Sequence, residues 1–146
     1  MYTSKEESEL LLGCIKPESC DMVCFAGKSK KDPYKNWNPV QKPSVEEDSR
    51  ISAYDSKVWM PAWSETRLFD LLPHLISDPE RNTVYELHIT RKEFPGKGKF
   101  ACVGYYDVNT GSLNRGFMSD NLTNALVHAV QGIFTSKTLE PGNFTW

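Results

Sequence analysis

Three histidines, His74, His88 and His128, are the side chains able to act as bases near neutral pH, and nucleophilic catalysis would need one of them beside a nucleophile and an orienting carboxylate. None lies in a recognisable motif. His74 follows a proline in a helical stretch, His88 points outward on an alternating strand, and His128 is on the polar side of the last helix, so each reads as a surface histidine. Glu46-Glu47-Asp48 is the longest run of adjacent carboxylates, and it lies in a polar stretch without an apolar pattern that could raise a pKa. Pro95-Gly96-Lys97-Gly98 lacks the Gly-Lys-Ser/Thr ending of a phosphate loop and opens no helix. Cys20 and Cys24 have the spacing of a zinc pair, but the four cysteines (Cys14, Cys20, Cys24, Cys102) include no second close pair; reduced, buried thiols are expected. These residues point to a non-enzymatic protein with no catalytic residue, metal, nucleotide or other cofactor.

Two basic clusters offer a different chemistry. Lys28, Lys30, Lys31 and Lys35 are interleaved with Tyr34 and Trp37, and Arg91, Lys92, Lys97 and Lys99 surround a hairpin turn. Lysines that track phosphates and aromatics that stack on bases are what single-stranded nucleic acid requires. The plainer account is that lysines keep loops in solution, so nucleic-acid binding is the alternative. Trp59-Met60-Pro61-Ala62-Trp63 places two tryptophans just ahead of a capped helix. They would staple the helix start onto the core, or, with the outward His88, form a protein contact.

These side chains must be positioned by local structure. Thr3 or Ser4 caps a helix over about 4–12, with Glu6 or Glu7 completing a capping box and Gly13 ending it. Residues 21–25 read as a short strand. Residues 27–57, with three prolines and no apolar periodicity, read as an irregular linker. Ser64 caps a second helix whose stripe is Leu68, Leu71, Leu72, Leu75 and Ile76, kinked at Pro73. Tyr85, Leu87 and Ile89 alternate with Glu86, His88 and Thr90 on a first strand; residues 99–108 and 113–118 give two more. Ser119 or Asp120 caps a last helix with a stripe from Leu122 to Phe134, its final turn weakened by Gly132. The expected fold is therefore α+β: a three-stranded antiparallel meander with two helices on one face, α-β-β-β-α, plus an N-terminal helix and the linker. One domain, 1–146, is expected, with a docking segment 1–26, the linker 27–57, a core 58–135 and a tail 136–146.

Composition bounds the partners. Seventeen basic and nineteen acidic residues give a net charge of -2, so no overall positive field selects nucleic acid. Residues 1–9 hold three glutamates and no apolar run, and no stretch reaches the ~18 apolar residues of a membrane span, so a soluble cytoplasmic protein with no membrane partner is expected. On that reading the glycosylation-type triplets at Asn121 and Asn143 are accidental.

Three resemblances follow from these residues. The helix, three strands, helix order resembles the double-stranded RNA-binding domain, whose second helix opens on a lysine-rich motif; here Ser119-Asp120-Asn121-Leu122 stands in its place, and the acid would repel phosphates. The three strands and the helix opening SDNLTNALVHAV are similar to HicB-type antitoxin domains. Leu11-Leu12-Gly13, Cys20-Asp21-Met22, Pro61-Ala62-Trp63-Ser64 with Leu68, Leu71, Leu72 and Pro73, then Tyr85, Leu87, Ile89 and residues 120–126, resemble an uncharacterised family of small proteins of phages and prophages of gut anaerobes. Where relatives tend to show Thr-Ala, this chain has Ser19-Cys20. That resemblance implies a phage-related origin and a single unit that includes the N-terminal segment, and it implies no activity; a protein partner or self-association is expected instead from the free sheet edge or the Trp59 to Trp63 corner.

Overall fold

A computed structural model describes residues 1–135; the expected tail and the Asn143 triplet lie outside them. The chain is of mixed helix and strand, with two antiparallel sheets, and forms two compact units, 1–67 and 68–146.

In the first unit, α1 (Lys5–Leu12) opens on a reciprocal capping box: the Glu7 N–H donates to Ser4 Oγ and the Ser4 N–H donates to Glu7 Oε1. The Gly13 N–H bonds the carbonyls of the last turn and ends the helix. β1 (Met22–Phe25) lies between β2 (Val40–Gln41) and β3 (Trp59–Ala62), with Met22 opposite both Gln41 and Ala62. All four β3 residues are buried, so the tryptophan-rich run is a strand. The stretch expected as a linker stays mostly irregular in backbone, yet its loops are tied to the core by polar ends of buried aromatics. The Tyr34 hydroxyl donates to the Ser56 carbonyl at 2.7 Å, and the Trp59 indole N–H donates to the Ala53 carbonyl at 3.2 Å. The Trp37 indole N–H reaches the Thr3 carbonyl at 3.0 Å. Each bond lets an aromatic bury its ring without stranding its donor.

α2 (Glu65–Leu71) ends earlier than its apolar stripe suggests. Pro73 lacks an N–H and disfavours helical backbone at Leu72, so the pattern changes period: Leu75–Asp78 is a strand, β4, with Leu75 61% exposed and Ile76 1%. The expected three-stranded meander is thus corrected to four strands. β4, β5 (Thr83–Phe94), β6 (Gly98–Asp107) and β7 (Leu113–Ser119) follow in chain order, antiparallel throughout. Asp78 closes the first turn by accepting the N–H groups of Glu80 and Arg81. α3 (Leu122–Phe134) is capped by Asn121, whose side chain accepts the Asn124 N–H at 2.7 Å, rather than by Ser119 or Asp120.

α3 packs on β6 and β7. Gly132 explains why: a Cβ there would sit 2.5 Å from Phe117 Cε1, so the missing side chain admits the ring, and Arg115 Nη2 donates to the Gly132 carbonyl. Phe117 pairs with Val103 and Arg115 with Tyr105, so these residues, with Leu87 opposite Tyr105, define the face turned to the helix. The opposite face carries Glu86, His88, Thr90, Cys102, Gly104 and Tyr106.

Candidate functional site

The side chains with exposed chemistry gather on that opposite face. Register puts Leu75 beside Glu86, Glu86 beside Tyr106 and Tyr106 beside Leu113, one row across all four strands. The next row brings His88 against Gly104 and Gly104 against Gly116. These two glycines leave a shallow trough that Leu113 and Tyr106 lean over: a Cβ on Gly104 would meet Leu113 Cδ1 and Tyr106 Cε2, each at 2.9 Å. At one end an open hollow of about 480 Å³ is lined by Glu86, His88, Thr90, Tyr106, Asp107 and Val108.

The His88 ring meets Tyr106 edge-on at 5.7 Å between centroids, and its Nε2 lies 3.7 Å from Glu86 Oε2. Both His88 and Glu86 side chains are about half exposed, at 52% and 50%. Their geometry gives a solvated charge pair when the imidazole is protonated and no short hydrogen bond to orient a base. Thr90 Oγ1 is buried without a hydrogen-bond partner among the described residues, a polar atom left to be satisfied at the floor of this face. Leu75, Leu113 and Met118 add apolar surface, at 61%, 45% and 48% exposed. This face can recognise a surface that is largely apolar with a few polar partners.

The residues singled out in the sequence separate on this framework. His88 is on the open face. Trp59 and Trp63, considered as protein contacts, are 1% and 0% exposed and present no surface; the core alternative is the one realised. The Trp63 indole N–H donates to Ser19 Oγ, and its backbone N–H donates to Thr3 Oγ1. In the first basic cluster Lys28, Lys30, Lys31 and Lys35 are exposed, but Tyr34 is 5% exposed and packed with Cys24 and Met60, and Trp37 is partly buried against them. Tyr34 therefore cannot stack on a base, which corrects the expected alternation of lysine and free aromatic. In the second cluster Arg91 and Lys92 are successive strand residues and point to opposite faces, while Lys99 is paired with Glu93; Lys97 is in the turn. Arg91 and Lys92 nevertheless both line the hollow beside His88. The exposed leucines, Met118 and the glycine pair were missed by sequence reasoning, although glycines inside two strand patterns are a signal for close approach.

Cys20, Cys24 and Cys102 are buried and Cys14 half-buried, none in a disulfide. Burial pushes the Cys20 thiol up to about 11 and raises the Cys14 thiol. Among the described residues no three His, Cys, Asp or Glu side chains converge as metal ligands, and no helix is long and apolar enough to cross a membrane. Compared with protein-family models, curated proteins and solved structures, the chain matches none.

Proposed function

We propose that this chain is a non-enzymatic protein-interaction protein, acting in the cytoplasm as an accessory factor of phage or mobile-element origin, and that its contact surface is the open face of the four-stranded sheet. The observation that carries the reading is the exposed row and trough on that face, where Leu75, Tyr106 and Leu113 flank the half-exposed His88. Exposed apolar side chains gathered on one sheet face, with polar groups between them, have the make-up of a protein contact. The phage setting is supported by the family resemblance of residues 11–13, 20–22 and 61–64. The lysine clusters support nucleic acid less well, because Tyr34 is held in the core.

The test is a photo-crosslinking residue placed at His88, with the same group at Lys30 as control, in the full chain expressed in bacteria. A defined protein adduct from position 88 and none from position 30 is expected. No adduct from 88, or an adduct to nucleic acid from either position, overturns the reading.

A further inference from the structure

A sheet presents free backbone at its two end strands, and proteins guard those strands against pairing with shortness, proline or charge. The two sheets have four such edges. β2 is two residues long. β3 contains Pro61 and is buried at every position. β4 is four residues long, bracketed by Pro73 and Pro79, and ends at the buried Asp78. β7 differs from all three. It runs seven residues without proline and borders one strand, β6, among the described residues.

Its single charge does not guard it. Arg115 is turned onto the helix side, where its guanidinium donates to the Gly132 carbonyl and lies 5.2 Å from the Phe117 ring centre. The ladder with β6 slips at Asn114, which bends the start of the strand, and runs regularly from Arg115 to Ser119. Gly116 has no side chain on the open face, and beside it Met118 is 48% exposed.

We infer that β7 pairs antiparallel with β7 of a second copy of this chain, about a two-fold axis at Phe117, joining two four-stranded sheets into one of eight. The strand is complementary to itself in that register. Phe117 meets its own symmetry mate, Arg115 falls opposite Ser119 of the other copy, and Met118 covers the other copy's Gly116. No charge faces a like charge, and five residues on each strand gain ladder partners. The glycine hollow and the exposed methionine, each a defect on the isolated edge, cancel across the axis. A different protein strand would gain the same backbone bonds without this side-chain match.

The proposal rests on the protein-interaction reading and is testable apart from it. Sedimentation velocity on the full chain across ~1 to 500 μM is expected to show a species of twice the 16.6 kDa chain mass. Met118→Lys, on an exposed position, puts a charge on the edge and should raise the dissociation constant at least ~10-fold with unchanged circular dichroism. Leu10→Lys, a comparably exposed leucine on α1 at 50%, should leave it unchanged. Amides of residues 115–119 should gain exchange protection with concentration. A native chain that stays monomeric throughout, or a dimer that Met118→Lys leaves intact, or one that Leu10→Lys weakens equally, overturns the proposal. If position 88 still crosslinks a different protein, the interaction reading survives that loss.

Discussion

In residues 1–67 the longest strands, β1 and β3, have four residues each, whereas in the second unit β5 and β6 pair over ten positions. The first unit closes instead through contacts between residues far apart in sequence. Trp63 bonds Thr3 and Ser19, Tyr34 bonds Ser56, and Ser64 donates both its backbone N–H and its hydroxyl to Asp21. In the second unit backbone ladders fix the layout, and side chains alternate between a helix-covered face and an open one. The contrast shows two ways to satisfy buried backbone. Where ladders are long, side chains are free to form a surface; where they are short, polar ends of aromatics take over the task of holding loops, and few are left to recognise anything.

The sharpest way to break this contrast is to remove a tie from the first unit. Trp63 is fully buried and its indole reaches across 44 positions to Ser19. Trp63→Ala should cost about 3–5 kcal/mol, the range for deleting a buried aromatic, read as a lowered denaturation midpoint together with faster amide exchange in residues 22–25. A loss under ~1 kcal/mol would mean that the indole is not a principal tie of the first unit.

The second unit should respond to crowding where the first responds to deletion. Gly132→Ala adds a favourable helix residue but drives its Cβ to 2.5 Å from Phe117 Cε1. Overpacking of ~1–3 kcal/mol outweighs a propensity gain of up to ~1 kcal/mol, so a net loss of about 1 kcal/mol is expected. In a Phe117→Leu background the clash is relieved, and the same substitution should become neutral or stabilising. If Gly132→Ala stabilises the otherwise unchanged chain, close helix-to-strand approach is not what that glycine serves.

The two units also differ in how far the sequence discloses them. Alternation from Tyr85 to Ile89 announces β5 and its faces, and the Ser4 and Glu7 pair announces the start of α1, because both signals are local. The stripe ending at Ile76 misleads, since Leu75 and Ile76 fit a helical period and the proline before them decides for a strand. The order within 27–57 is hidden for another reason. A tyrosine in a lysine-rich loop looks free to stack, and only the arrival of Ser56, 22 residues later, turns it inward. Of the site, His88 is legible because it stands at an outward position; Leu75, Leu113 and Met118 are not, because their exposure depends on which strand lies at the sheet's end.

Cys20 tests the same contrast at its weakest point. It is 5% exposed at the entry to β1, and burial pushes its thiol up to about 11 against a smaller opposing pull from Lys42. An unfolded chain would release that proton near the ordinary thiol value of 9.0, while the folded chain keeps it to about 11. Folding therefore holds a proton that unfolding gives up, and the contribution is whole below pH 9, nothing is lost at neutral pH, and stability declines as pH rises toward 11. Denaturation midpoints from pH 7.5 to 10.5 should fall more steeply for the native chain than for Cys20→Ala, although the variant starts lower for want of a buried side chain. Parallel slopes would mean that the thiol ionises alike in both states. The first unit would then admit water at the start of β1, and its side-chain ties would enclose less of a core than the ladders of the second unit do.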